Sequence, residues 1–166
     1  MNVETIIATL EEQAAIYDQL LALANEKTPY LVHNQVDSLN AVIAKERKLL
    51  KTAEELEQQR MRLSGQYFTG IGMLRYKGGK ISEMIRTVTS SQDKARLTQL
   101  HTDLTRTLDE LKHVTLLNQQ LIEHSLKFID YSIDLLSEDP TNDYTYQHPQ
   151  SNAYGKSSQA RYDQRR

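Results

Sequence analysis

Apolar and small residues recur at alternating four- and three-residue intervals along most of this chain, the signature of helices that pack side by side. The first run is Val3, Ile7, Leu10, Ala14, Tyr17, Leu21, Ala24, Thr28 and Leu31. It predicts a helix over about 2–33, with Asn2 as N-cap and Glu4 in the first turn. Pro29 removes one backbone donor and crowds the preceding turn, so a kink or an end near Thr28 is expected. A second run, Val36, Leu39, Ile43, Leu50, Ala53, Leu56 and Leu63, predicts a helix over about 35–64. Asn34 is its expected cap, Asp37 is at the third helical position, and Glu46 sits at the edge of the apolar face. Gly65, just after Ser64, is the expected stop.

Residues 65–80, GQYFTGIGMLRYKGGK, hold five of the six glycines and are expected to be a flexible hinge loop. A phosphate-gripping loop requires G-x-x-x-x-G-K-[ST] between a strand and a helix; neither the spacing nor a preceding strand is present. A short helix over about 81–88 follows, weakened at its end by β-branched Thr87, Val88 and Thr89. Ser90, three residues before Asp93, opens a helix predicted over 91–137. From Leu104 its stripe keeps strict spacing through Leu108, Leu111, Thr115, Asn118, Ile122, Ser125, Ile129, Ser132 and Leu136. Such a helix is roughly 70 Å long, and the first two are roughly 45 Å each, so their hairpin cannot cover all of it. The expected fold is all-α: an elongated antiparallel three-helix bundle or coiled-coil hairpin with a long C-terminal helix. The tail, 138–166, has no Ile, Leu, Val, Met or Phe and is expected to be disordered.

The last helix is greasier than one neighbour requires. On a helical wheel, Leu117, Leu121, Phe128 and Leu135 line one edge of an apolar arc, and Ile122, Leu126, Ile129 and Ile133 line the other. Asn118, Ser125 and Ser132 lie between them, where small residues allow close approach. The arc covers about half the circumference, against the roughly 100° of an ordinary amphipathic helix. Either the helix is wedged between two others of its own bundle, or part of it is kept for another chain.

Composition narrows the function. Lys and Arg number 20 against 22 Asp and Glu, so there is no basic footprint for nucleic acid. The absence of cysteine excludes disulfides and thiolate metal sites. No basic segment followed by an apolar run marks a signal peptide at the N-terminus, and no stretch approaches the length of a membrane span. With no Trp and only Phe68 and Phe128, the core is expected to be aliphatic. Glu110 and His113 form an E-x-x-H pair, the spacing used in di-iron bundles, but no second copy exists. Neither a cofactor, a metal site nor an enzymatic activity is expected.

Two stretches carry a family resemblance: VDSLNAVIAKERKLLKTAEELEQQRMRL, 36–63, and LTRTLDELKHVTLLNQQLIEHSLKFIDYSIDLL, 104–136. Together they resemble the FlgN-type flagellar export chaperones, with a layout matching residues 1–137. The chain departs from that pattern at Pro29, inside a helix otherwise continuous, and at Leu121, where a second Asn often follows the first. The resemblance implies a cytoplasmic type III secretion chaperone whose partners are the hook–filament junction (hook-associated) proteins. It would hold a helical terminal segment of these clients, prevent premature assembly and deliver them to components of the export apparatus. Carried onto this chain, the holding residues are Leu117, Asn118, Leu121, Ile122, Ser125, Phe128, Ile129, Ser132 and Leu136; the wheel adds Leu135. The competing expectation is a structural coiled-coil adaptor in a larger assembly, with no client to protect.

Overall fold

The computed structural model of the chain describes residues 3–73 and 79–137. The expected Asn2 cap, residues 74–78 of the glycine-rich segment and the expected disordered tail, 138–166, lie outside the described residues. Helices α1 (Val3–Val32), α2 (Val36–Gly70), α3 (Ile81–Thr87) and α4 (Ser91–Ser137) follow in order. Among the described residues there is no strand, and the fold is all-α.

Helix α1 does not break at Pro29. It continues to Val32 because proline forfeits only its own N–H bond, while burial of Leu31 holds the last turn in place. Asn34 does not cap α2. It adopts φ 54° and closes α1 instead, with Gln35 N–H donating to Tyr30 O at 2.9 Å and Asn34 N–H to Leu31 O at 3.4 Å. Gln35 precedes α2 without a side-chain cap.

The expected stop at Gly65 is also overturned. Helix α2 runs on to Gly70, and Gly72, at φ 78°, makes the left-handed turn, with Met73 N–H on Phe68 O at 2.8 Å and Gly72 N–H on Thr69 O at 3.1 Å. The reason lies in Tyr67 and Phe68. Phe68 is fully buried and meets Tyr67 edge-to-face at 5.3 Å. Burying one such ring is worth about 1.5–3 kcal/mol, more than the roughly 1 kcal/mol that Gly65 costs inside a helix. The core is therefore not purely aliphatic. Tyr67 and Phe68 join Ile6, Ile7 and Leu10 of α1, Met84 and Val88 in and after α3, and Leu97 and Leu104 of α4.

After residues 74–78 the chain returns directly onto α2. A Cβ on Gly79 would lie 2.7 Å from Ser64 Cβ and 2.8 Å from the Phe68 ring, so only glycine fits. Arg60 Nη1 donates to Gly79 O at 3.0 Å, and the Tyr67 and Thr87 hydroxyls sit 3.2 Å apart, fastening α3 to the end of α2. Helix α4 starts behind Ser90, whose Oγ accepts from Asp93 N–H at 3.3 Å.

Polar cross-links fix the directions of the helices. Gln13 donates to Glu57 and Lys27 pairs with Glu46, so α2 runs antiparallel to α1. Arg96 pairs with Glu4, Thr107 donates to Asp18 and Thr28 to Asn118, at separations of 92, 89 and 90 residues, so α4 runs parallel to α1. Helix α1 thus serves two neighbours, and its buried set (Ile6, Ile7, Thr9, Leu10, Gln13, Leu20, Ala24, Leu31) is wider than a single stripe. Contacts divide the chain into two units, Met1–Lys127, which holds the bundle, and Phe128–Arg166, whose described part is the last stretch of α4.

Candidate functional site

Register decides which part of α4 is covered. The offset of about 90 residues between α1 and α4 places Val32, the end of α1, level with Ile122. Upstream of that level α4 is engaged on one side: Leu97 and Leu104 are fully buried or nearly so, and Thr107 and Asn118 are buried, while Leu108, Leu116 and Leu117 stay exposed. Within the first unit beyond it, Ile122 and Leu126 are exposed and Ser125 is half-buried. In the second unit, Phe128 is 69% exposed, Ile129 49%, Leu135 54% and Leu136 88%, with Tyr131 and Ile133 also exposed and Ser132 half-buried.

The residues expected to hold a partner therefore fall into two groups. Leu117, Ile122, Phe128, Ile129, Leu135 and Leu136 are open to solvent, and Leu121, Ser125 and Ser132 are half-buried. Ser132 Oγ donates back to Phe128 O at 2.8 Å, leaving its small Cβ on the surface between larger neighbours. Asn118 stands apart. It is 3% exposed; its Nδ2 donates to Ala24 O at 2.7 Å and its Oδ1 accepts from Thr28 Oγ1 at 2.8 Å. Both halves of its amide are spent inside the bundle, so its placement is that of an internal fastener rather than a contact surface.

Sequence reasoning did not find a second feature. A cavity of about 400 Å³ opens among α1, α2, the start of α3 and α4, lined by Tyr17, Glu57, Arg60, Lys80, His101 and Leu104 among others. Arg60 grips both Glu57 oxygens, at 2.8 and 2.6 Å, and Gln13 donates to the same carboxylate at 3.0 Å. The Arg60 hydrogen bonds hold the Glu57 carboxyl below its ordinary range against the opposing effect of burial, and Gln13 adds to the lowering. Burial, then the nearby Glu57 charge, pushes the Tyr17 phenol up. Glu57 and Arg60 neutralise each other, so neither is poised as an acid or base. The only sequence trace of this arrangement is the spacing of Glu57 and Arg60, ordinary in a solvated helix.

Glu110 and His113, the E-x-x-H pair, are both exposed. Among the described residues no three His, Asp or Glu side chains come together to hold a metal, and no helix is long and apolar enough to cross a membrane.

Comparison with known proteins places these features in context. A family model described as FlgN protein matches residues 1–160. Among curated proteins, the chain is similar to "Uncharacterized protein YvyG" of Bacillus subtilis (strain 168), with 29% identity over 136 residues, covering 82% of this chain and 81% of that protein. No solved structure gives a significant match.

Proposed function

The chain belongs to the FlgN protein family, a family of flagellar export chaperones, and from that premise we propose that it is a cytoplasmic holding chaperone for hook–filament junction proteins. In this reading it sequesters a helical terminal segment of the client until export through the flagellar type III apparatus, and so prevents assembly in the wrong place. The observation that supports it best is the run of large apolar side chains left open at the end of α4: Ile122, Leu126, Phe128, Ile129, Ile133, Leu135 and Leu136. Isolated exposed apolar residues are ordinary; a run of this kind on one helix is the mark of a recognition element.

The magnitudes suit a reversible grip. Four or five anchors at about 1.5–3 kcal/mol each give on the order of 10 kcal/mol gross. Ordering the partner segment takes back about 2–5 kcal/mol. What is left after the further cost of association corresponds to binding in roughly the micromolar range, tight enough to hold and loose enough to release. Leu117, Leu121, Ser125 and Ser132 complete the proposed surface, and Asn118 supports it from behind.

The test is co-expression with each hook–filament junction protein of the same organism. The wild-type chain is expected to keep the client soluble and to elute with it, whereas the variant carrying Phe128→Asp and Leu135→Asp, with an unchanged helical circular-dichroism signal, should do neither. If client solubility is the same with and without this chain, the holding role is wrong and a structural adaptor is the better description.

A further inference from the structure

Charge in the cavity of about 400 Å³ is one-sided. Glu57 is the single carboxylate of its lining, and it is fully engaged: Arg60 Nε and Nη2 donate to it from one side and Gln13 Nε2 from another. Arg60 cancels its charge. Lys80 is then a second cation with no acid to match it, so the lining is net positive.

The hydrogen-bonding groups around that cation are also one-sided. Among the described residues the side chains of Tyr17, Lys80, Ser82 and His101 make no hydrogen bond to any other. Lys80 only donates, and Tyr17, Ser82 and the His101 ring each have an O–H or N–H to give. Burial pushes the Tyr17 phenol up, so it keeps its proton. Ile81, Leu104 and Leu108 supply an apolar wall in the same cavity.

These features sort the occupants. A cation meets Lys80 and Arg60 with no carboxylate left to receive it. A purely apolar molecule strips water from the donors and returns nothing. A phosphate group, at about −1.5 to −2 charges, exceeds the single net positive charge and faces Glu57 as well. A carboxylate brings one negative charge, and its hydrogen bonds to such donors are roughly twice as strong as neutral ones. The volume is at the lower end of the roughly 300–1,000 Å³ usual for ligand sites.

The geometry points to a binding site for an organic monocarboxylate with a compact apolar body, the charge at Lys80, His101 and Tyr17 and the body on Ile81, Leu104 and Leu108. Two sources carry that chemistry: a free small acid, and an acidic side chain beside an apolar one on the client. The second is within reach. His101 and Leu108 stand about 21–32 Å along α4 from Ile122 at 1.5 Å per residue, so a client held at Ile122 arrives with roughly four to six further turns of helix. The site itself does not depend on the chaperone reading.

The full chain is titrated with 4-phenylbutyrate and, separately, with the neutral 4-phenylbutyramide, followed by NMR of the backbone amides and the His101 ring. The acid is expected to bind about tenfold more tightly than the amide, with shifts gathered at Ser82, His101 and Thr105. Lys80→Ala should remove that preference; Lys80 is exposed and precedes α3, so the melting temperature should be unchanged. Leu108→Ser, at the exposed end of the apolar wall, should weaken both compounds alike. Equal binding of acid and amide, shifts scattered over the surface, or a preference that survives Lys80→Ala overturns the proposal. A second arm uses the complex with a hook–filament junction protein. Displacement of the client by 4-phenylbutyrate, with weaker retention in Lys80→Ala, assigns the carboxylate to the client; a client retained unchanged while the acid binds assigns it to a free acid. A chain that binds the acid but no client keeps this site and loses the chaperone reading. One that holds a client but does not tell acid from amide does the reverse.

Discussion

At the scale of single residues, Asn118 shows how a polar group can be worth more than the leucine its position invites. Its amide closes a pair of hydrogen bonds to α1 that no aliphatic side chain would make, and it is satisfied only when Ala24 and Thr28 stand level with it. A buried amide of this kind selects one register over its neighbours. Asn118→Ala is expected to cost about 1–3 kcal/mol, a fall in melting temperature of about 2–4 °C per kcal/mol for a chain of this length, measurable by circular dichroism. The glycines separate in the same experiment. Gly79→Ala forces a Cβ against Ser64 and Phe68 and should cost about 1–3 kcal/mol. Gly70→Ala meets nothing within 4 Å and should be neutral or slightly stabilising. Glu57 supplies a pH signature. Its folded-state carboxyl titrates below its unfolded value, so the stability it contributes is present above the unfolded value and lost as pH falls through the folded one. In Glu57→Gln that acid-side loss should shrink, as read from melting temperatures across the acidic range.

At the scale of elements, the sequence was most legible where periodicity ran long and least legible where a few residues decided an end. Helix α4 follows its stripe behind the Ser90 cap. The errors gathered at turns, where one chemistry serves two purposes. Asn34 is a good N-cap by type, yet asparagine also tolerates the left-handed conformation that ends α1. Gly65 reads as a stop, yet Tyr67 and Phe68 beyond it are worth more buried in a helix than loose in a loop. Pattern alone cannot weigh that, because the partners of Phe68 come from α1, α3 and α4. The candidate surface was visible as excess apolar width, but the different fate of Asn118 was not, since its hydrogen-bond partners lie 90 and 94 residues away. The prediction belonging to this scale is that Phe68→Ala costs about 3–5 kcal/mol and loosens α3 with it, seen as loss of amide protection at Met84 and Val88.

At the scale of the molecule, stability and surface are kept in different stretches. The apolar cluster around Phe68 lies level with Leu97 and Leu104, about 27–37 Å along α4 from Ile122 at 1.5 Å per residue. Ending the chain after Lys127 removes Phe128, Ile129, Ser132, Leu135 and Leu136 while sparing every buried side chain of the bundle. The shortened protein is expected to melt within a few degrees of the full chain and to lose client retention, measured by scanning calorimetry and by co-elution. The parallel course of α1 and α4 has one more outcome. Because the α1–α2 turn sits level with Ile122, α1 has no residue left to offer Ile122 and Leu126, so their exposure follows from where that helix ends.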